Sequence, residues 1–289
     1  MRYSQLRAFH NVALNGGFSR AAEALGLTQP AISDQVKRLE RDYDVLLIRR
    51  SSKQIVLTEA GERLLEVTHR LFDAEQQARD LLSESLSDAA GSIRIIADSA
   101  LHILQTLGRF RARYPKVFIS VRSGNSSEVI EALEAYDADV GITGEAPEGR
   151  AFQIASINTT PIIAFAGKDH PIAQQGTIRF ADLVNYPLVL RERGSNTRAK
   201  IERHAAQLGL TLPIAIEAEG REAVREIVAA GGGIGVVSQA EFRADRRLKA
   251  IPFSDANLNM EESIVCLSDR SESRQIRNFM AMARAADRG

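Results

Sequence analysis

Between Ser19 and Glu40 the chain reads SRAAEALGLTQPAISDQVKRLE, two short helical patterns joined by one tight turn. Ser19 is placed to cap a helix over Arg20–Leu25, which Gly26 stops. Thr28 is placed to cap the next, with Pro30 early in it, where a missing N–H does no harm. Ile32, Val36 and Leu39 recur at helical spacing and predict an inner stripe. An earlier helix carries Leu6, Phe9, Val12 and Ala13 on one face and ends at Gly16-Gly17. Few arrangements satisfy this pattern, and the helix-turn-helix is the one with so tight a connection at Gly26-Leu27.

The segments Leu46–Arg50 and Gln54–Leu57 read as short strands, with Ser51-Ser52-Lys53 as the hairpin tip, which makes the layout a winged one. From Thr58 a long helix is expected. Leu64, Leu65, Leu71, Phe72, Ala78, Leu81, Leu82 and Leu86 keep one face apolar for about 30 residues, roughly 45 Å. A helix of that length outside a compact core pairs with a copy of itself; the alternative is packing on its own chain. After Ser87–Gly91 the pattern becomes strand–helix alternation. Strands are expected at Ile93–Ala97, Val117–Arg122, Val140–Thr143, Ile162–Phe165, Leu188–Arg191, Ile214–Ala218, Ile234–Val237 and Ile264–Leu267. Helices are expected at Leu101–Arg113, Ser127–Ala135, Arg198–Leu208, Arg221–Ala230 and from Arg274. That alternation implies an α/β fold with parallel sheet in two similar halves.

The formal net charge of the 289 residues is zero, but residues 1–58 are basic. Arg2, Arg7, Arg20, Lys37, Arg38, Arg41, Arg49, Arg50 and Lys53 face Glu23, Asp34, Glu40, Asp42 and Asp44 there; a solvated basic face is the plainer reading of that excess. No apolar run approaches the roughly 20 residues of a membrane span, and the N-terminus does not read as a secretory signal. The one cysteine, Cys266, sits in an apolar run and is expected to be an inert buried thiol, which fits a reducing cytoplasm. His10, His69, His102, His170 and His204 show no ligand spacing, so no metal site and no cofactor is expected. Gly231-Gly232-Gly233-Ile234-Gly235 fails as a dinucleotide loop: Ser238 stands where the third glycine belongs, and helix precedes strand. It reads as a helix end and a turn. No catalytic constellation emerges, so the chain is not expected to be an enzyme.

Ala21–Glu40, together with Leu46-Leu47-Ile48-Arg49-Arg50 and Leu57-Thr58-Glu59-Ala60-Gly61, resembles the LysR-type transcriptional regulators. The resemblance is dense over residues 1–65, and the order and length of the segments extend it along the chain. Two positions depart from the family pattern: Asp44, where glycine is common, and Leu47, where phenylalanine is common. Both put wing packing in question rather than DNA contact.

The resemblance implies an N-terminal all-α winged helix-turn-helix (residues 1–58), a linker or dimerisation helix (59–89) and an α/β effector domain (90–289). That domain would have two Rossmann-like subdomains like those of periplasmic binding proteins, about 90–160 with 264–289, and about 161–263. The expected crossings lie near Ser156–Pro161 and Pro252–Glu262. The implied partners are double-stranded DNA carrying an interrupted palindrome, a small effector, and further copies of the chain: a dimer through the linker helix and, by family analogy, a homotetramer. A solute-binding protein without DNA function is the alternative that the C-terminal halves alone would suggest.

On such a module the third helix presents its first residues to base edges. Gln29 suits adenine, Ser33 either donors or acceptors, Pro30 a thymine methyl and Asp34 a cytosine amino group; Thr28 opens the helix. Helix capping is the competing role for Gln29 and Ser33, and a plain surface charge for Asp34. Lys37, Arg49, Arg50 and Lys53 suit phosphates. For the effector, helix starts are the anion-holding places: Ser99, Asn125 and Ser126, and the run Arg191–Arg198. From that run Ser195, Asn196, Thr197 and Arg198 are candidates, because relatives with a similar Gly-Ser-x-Thr-Arg run recognise small anions. An ordinary capping loop is the alternative for the run, and an ordinary salt bridge for the further candidate Arg221.

Overall fold

The computed structural model describes residues 1–50, 55–82, 91–147 and 149–286. Contacts divide the chain into two units, Met1–Ser85 and Leu86–Gly289.

In the first unit α1 (Tyr3–Leu14), α2 (Phe18–Leu25) and α3 (Gln29–Asp42) precede a hairpin of β1 (Ile48–Arg50) and β2 (Ile55–Leu57); α4 (Glu59–Leu82) follows. Leu6, Phe9, Val12, Ala21, Ala22, Ile32, Val36 and Leu39 form one core with Leu47 and Ile48 of the wing. This is the stripe that the periodicity predicts. Ser19 does not cap α2. The helix starts one residue before it, at Phe18, with Gly17 at the cap and no side-chain bond there. Phe18 packs against the core, and that contact extends the helix back past the serine. Thr28 does cap α3, its Oγ1 accepting from the Ala31 amide at 3.4 Å.

The first turns of α4 belong to this core through Leu64, Leu65 and Phe72. The Phe72 ring lies 5.7 Å from Tyr3 and 4.6 Å from His10 of α1. Val67 and Leu71, one turn apart on α4, stay exposed. The expected tip of the wing and the segment between Ser83 and Ala90, with Leu86, lie outside the described residues.

The second unit is built on one mixed sheet whose two halves repeat a topology. In the first half β3 (Gly91–Ala97), α5 (Leu104–Arg113), β4 (Val117–Ser123), α6 (Ser126–Glu134) and β5 (Val140–Thr143) give the strand order β4-β3-β5. In the second, β7 (Leu188–Arg191), α7 (Asn196–Gln207), β8 (Ile214–Ala218), α8 (Arg221–Ala229) and β9 (Ile234–Ser238) repeat that order as β8-β7-β9. Within each half these pairings are parallel. β6 (Phe152–Gly167) leaves the first half and β11 (Asn259–Leu267) returns, with β10 (Leu248–Pro252) beside β6. α9 (Arg274–Ala286) packs on the first half, where Ile276, Phe279 and Met280 join Ile93, Ile95 and Phe110.

The sheet therefore departs from the parallel expectation at its centre. β6 and β11 run antiparallel from Phe152 to Pro161, and both are antiparallel to their other neighbours. A chain that crosses twice between two parallel halves must send one strand back past the other. Most of β6 escaped the sequence pattern because Ser156, Asn158, Thr159 and Thr160 carry no apolar alternation. The expected helix from Leu101 is split into a 3-10 turn over Ala100–Ile103 and α5. Gly231 and Gly232 end α8 as expected, their amides bonding Val228 and Ile227 carbonyls. Cys266 is buried, and burial pushes its thiol up to about 11. No helix among the described residues is long and apolar enough to cross a membrane.

Candidate nucleic-acid interface and ligand cleft

In the first unit α3 offers one open face. Thr28, Gln29 and Pro30 are exposed at its start, and Lys37, Arg38 and Arg41 continue the exposed side as cations. Asp34 is held by Arg38 one turn on, at 2.8 Å, so its carboxylate belongs to a helix-face ion pair. Ser33 is turned the other way. It is 8% exposed and shares the buried side with Ile32 and Val36. The reader expected at Ser33 is thereby displaced from the open face, since the stripe that buries Ile32 and Val36 widens to include it. Arg49 is exposed on β1; Arg50 lies on the same strand, and Lys53 falls outside the described residues.

The wing is tied to the helices by side chain to backbone bonds. Glu40 Oε1 accepts from the Leu47 amide at 2.9 Å and from the Ile48 amide at 3.1 Å. Thr58 Oγ1 donates to the Leu46 carbonyl at 2.7 Å and accepts from the Gly61 amide at 3.0 Å. A Cβ on Gly61 would stand 2.2 Å from the Leu47 carbonyl oxygen, so only glycine lets α4 start this close to the wing. Asp44 has φ of 49°, left-handed backbone that suits glycine best and aspartate better than most residues. Leu47 is core.

In the second unit the carboxyl ends of β3 and β7 face each other, at the positions where strand order reverses in each half; such switch points are where open α/β sheets hold ligands. Asp98, just after β3, is buried there and accepts from both halves. Ser126 Oγ donates to Oδ2 at 2.9 Å, Arg191 Nη1 to Oδ1 at 2.5 Å and Arg221 Nη2 to Oδ1 at 2.9 Å. Arg221 Nη1 also donates to the Asp98 carbonyl at 2.6 Å. Burial alone would raise the Asp98 pKa. The charges of Arg191 and Arg221 override it and hold the carboxyl below its usual range. Burial disfavours the Arg191 cation, but Asp98 and Glu192 raise its pKa on balance.

The other expected residues surround this centre. Asn125 caps α6, accepting from the Ser127 and Glu128 amides, and its side chain lies against Gly194 of the opposite half. Ser99 and Ser195 are buried, and their hydroxyls have no hydrogen-bond partner among the described residues. Thr197 is buried near Met260, and Asn196 is half-buried at the start of α7. Arg198 is drawn aside. Its Nε donates to Glu202 at 2.8 Å and its Nη1 to the Arg191 carbonyl at 2.8 Å and to Glu217. Arg198 thus props up Arg191. A cavity of about 270 Å³ opens beside the centre, lined by Arg191, Thr197, Arg221 and Arg225 and by Phe165 and Phe242.

Ion pairs run on from Arg221. It meets Glu241 at 2.9 Å; His102 Nε2 then lies 3.2 Å from Glu241 and 3.5 Å from Glu262. Burial alone would lower the His102 pKa, but the two carboxylates raise it; burial pushes the Glu262 carboxyl up to about 7. Sequence reasoning missed Asp98, Arg191 and this trio as site residues. Asp98 and Arg191 stand next to quoted helix starts and could have been found there. His102, Glu241 and Glu262 are too far apart in the chain to be connected without the fold.

Residues 3–62 match the bacterial regulatory helix-turn-helix protein, lysR family, and residues 87–288 match the LysR substrate binding domain. The HTH-type transcriptional activator CmpR of Synechocystis is 30% identical over 236 residues, 81% of this chain and 78% of that protein. A full-length OxyR variant from Pseudomonas aeruginosa is similar in structure with a TM-score of 0.82, at 20% identity over 98% of this chain and 95% of that one. Full-length CbnR complexed with its target DNA gives a TM-score of 0.67 at 22% identity, covering 99% of this chain and all of that one (100%).

Proposed function

The chain belongs to the LysR family of transcription regulators, and from that premise we propose that it reads an interrupted palindrome on DNA through Gln29 and Pro30 and senses a small anion at Asp98. The chain is a DNA-binding regulator with an effector-binding domain, not an enzyme. On DNA the exposed start of α3 enters the major groove while Lys37, Arg49, Arg50 and Lys53 anchor phosphates. Val67 and Leu71, apolar and exposed on α4, support pairing of that helix with its copy; the effector domains then associate the dimers into a tetramer. Two-fold pairing places two half-sites on the DNA.

One observation carries the effector's charge. Two buried guanidiniums, Arg191 and Arg221, converge on one carboxylate in the cleft, beside the hydroxyls of Ser99 and Ser195, which have no partner among the described residues. A small carboxylate, sulfonate or phosphate ester meets the same donors, and charge-assisted bonds to arginine are the strong ones. An effector changes transcription only by preferring one arrangement of the regulator over another. Titration calorimetry of the full-length protein with small carboxylates, sulfonates and phosphate esters tests this. A ligand whose binding weakens at least tenfold in Ser195→Ala or Thr197→Ala supports it. Tight binding of a cation or neutral molecule, with no anion bound, overturns it.

A further inference from the structure

One connected cluster of ion pairs in the second unit has charges that do not balance. Asp98, Glu192, Glu241 and Glu262 bring four carboxylates against three basic groups, the guanidiniums of Arg191 and Arg221 and the imidazole of His102. The excess lies at the end away from Asp98, where Glu241 and Glu262 face His102. Glu262 is 2% exposed, and among the described residues no arginine or lysine lies within ion-pair distance of it. A carboxylate so placed is held by a proton or by a cation.

The geometry favours the cation. One donor atom from each of the three side chains lies within 4.8 Å of the others. His102 Nε2 is 3.2 Å from one carboxylate and 3.5 Å from the other, and two ligands each about 2.1 Å from one ion in tetrahedral array stand about 3.4 Å apart. An ion set between these atoms takes the place of the His102 contacts and shares Glu241 Oε1 with Arg221, which keeps Asp98. We propose that His102, Glu241 and Glu262 bind one divalent first-row cation, Mn²⁺ or Zn²⁺. One imidazole with two carboxylates suits both ions. Such an ion offsets the surplus of carboxylates at this end of the cluster. It also ties together the turn after β3, the turn after β9 and the returning strand β11, and so links the two halves at a point separate from the anion-holding hydroxyls.

The test uses the full-length protein, stripped with a chelator and then dialysed against Mn²⁺ or Zn²⁺, with metal measured per chain. One ion per chain is expected, with affinity at least tenfold lower in Glu262→Gln and in His102→Asn, and a thermal transition that the ion raises only in the parent. No uptake by the parent, or equal uptake by both variants, overturns the site. Should a variant fail to fold, anomalous diffraction from Mn²⁺-soaked parent crystals decides: a peak among the three side chains supports the site, and its absence there overturns it. The anion reading stands or falls separately, because its variants are Ser195 and Thr197.

Discussion

Asp98 and Arg191 meet across the C-terminal unit, Oδ1 accepting from Nη1 at 2.5 Å with both side chains buried. One belongs to the first half of the sheet and the other to the second, so the pair spans the cleft from within. Asp98 is itself a small carboxylate held by Arg191, Arg221 and a serine hydroxyl. An arriving anion competes with it for the two arginines.

Asp98→Asn keeps the shape and the Ser126 contact but removes the charge. Arg191 and Arg221 then lose the counter-ion they share and keep only Glu192 and Glu241, which costs about 2 kcal/mol. The variant is expected to melt several degrees lower in dilute buffer, to recover with millimolar sulfate, and to bind sulfate about tenfold tighter than the parent. Scanning calorimetry and titration calorimetry read both effects. Equal sulfate affinity in the two proteins would show that Asp98 does not compete.

On the DNA side, Gln29→Ala is expected to lower the preference for operator over scrambled duplex by about 1–3 kcal/mol, the worth of a bidentate base contact. General, salt-sensitive affinity stays. Arg49→Ala should weaken both duplexes alike and reduce the salt slope by about one. Ser33→Ala, buried on the inner side of α3, should leave the preference within a few-fold of the parent. Fluorescence anisotropy over a salt series separates the three; a large loss of preference in Ser33→Ala would restore that hydroxyl as a reader.

The wing entry makes a third expectation. Asp44 sits at φ of 49°, so Asp44→Gly relieves strain, offset in part by a freer unfolded chain. A gain of about 0.5 kcal/mol is expected by urea unfolding. Gly61→Ala forces a Cβ against the Leu47 carbonyl and is expected to cost about 1–3 kcal/mol. A neutral Gly61→Ala would mean that α4 shifts away from the wing freely.

Much of this is legible in the amino-acid sequence. The stripe Ile32, Val36, Leu39, the Thr28 cap and the repeated strand–helix halves all follow from local rules, because each concerns neighbours within a turn or a strand. Asp44 was visible as an exception, and its backbone supplies the reason. Arg198 shows where the reading stops. A helix start rich in serine, threonine and arginine announces anion-holding chemistry, but Glu217 and Glu202 take the Arg198 guanidinium, while Arg191 faces the cleft. Pairings between residues distant in the chain leave no trace in spacing. For the same reason His102 showed no ligand spacing in the sequence, and nothing there joined it to Glu241 and Glu262. The burial of Ser33 was hidden for another reason: the width of a buried stripe depends on what packs against it, which periodicity alone does not say.

Asp139 supplies a last test, this one of stability. Its carboxylate is buried and accepts from the Arg94 amide at 2.6 Å and from the Arg94 and Arg270 guanidiniums, each at 2.8 Å. Burial by itself would raise its pKa; Arg94 and Arg270 outweigh that and lower it. A carboxyl whose folded pKa lies below its unfolded value, about 3.9, contributes stability that is complete above that value. The contribution is lost as pH falls below about 4 toward the folded pKa, because the unfolded chain then binds the proton first. Urea midpoints measured from pH 7 down to pH 3 should therefore fall steeply at the acid end. In Asp139→Asn the midpoint should be lower at pH 7, by about 3 kcal/mol of stability, and its acid slope shallower. Asp98, also lowered, contributes to the same slope, so the double variant should be flatter still. An Asp139→Asn protein with the parent's acid slope would mean that the carboxylate between Arg94 and Arg270 does not drive acid unfolding.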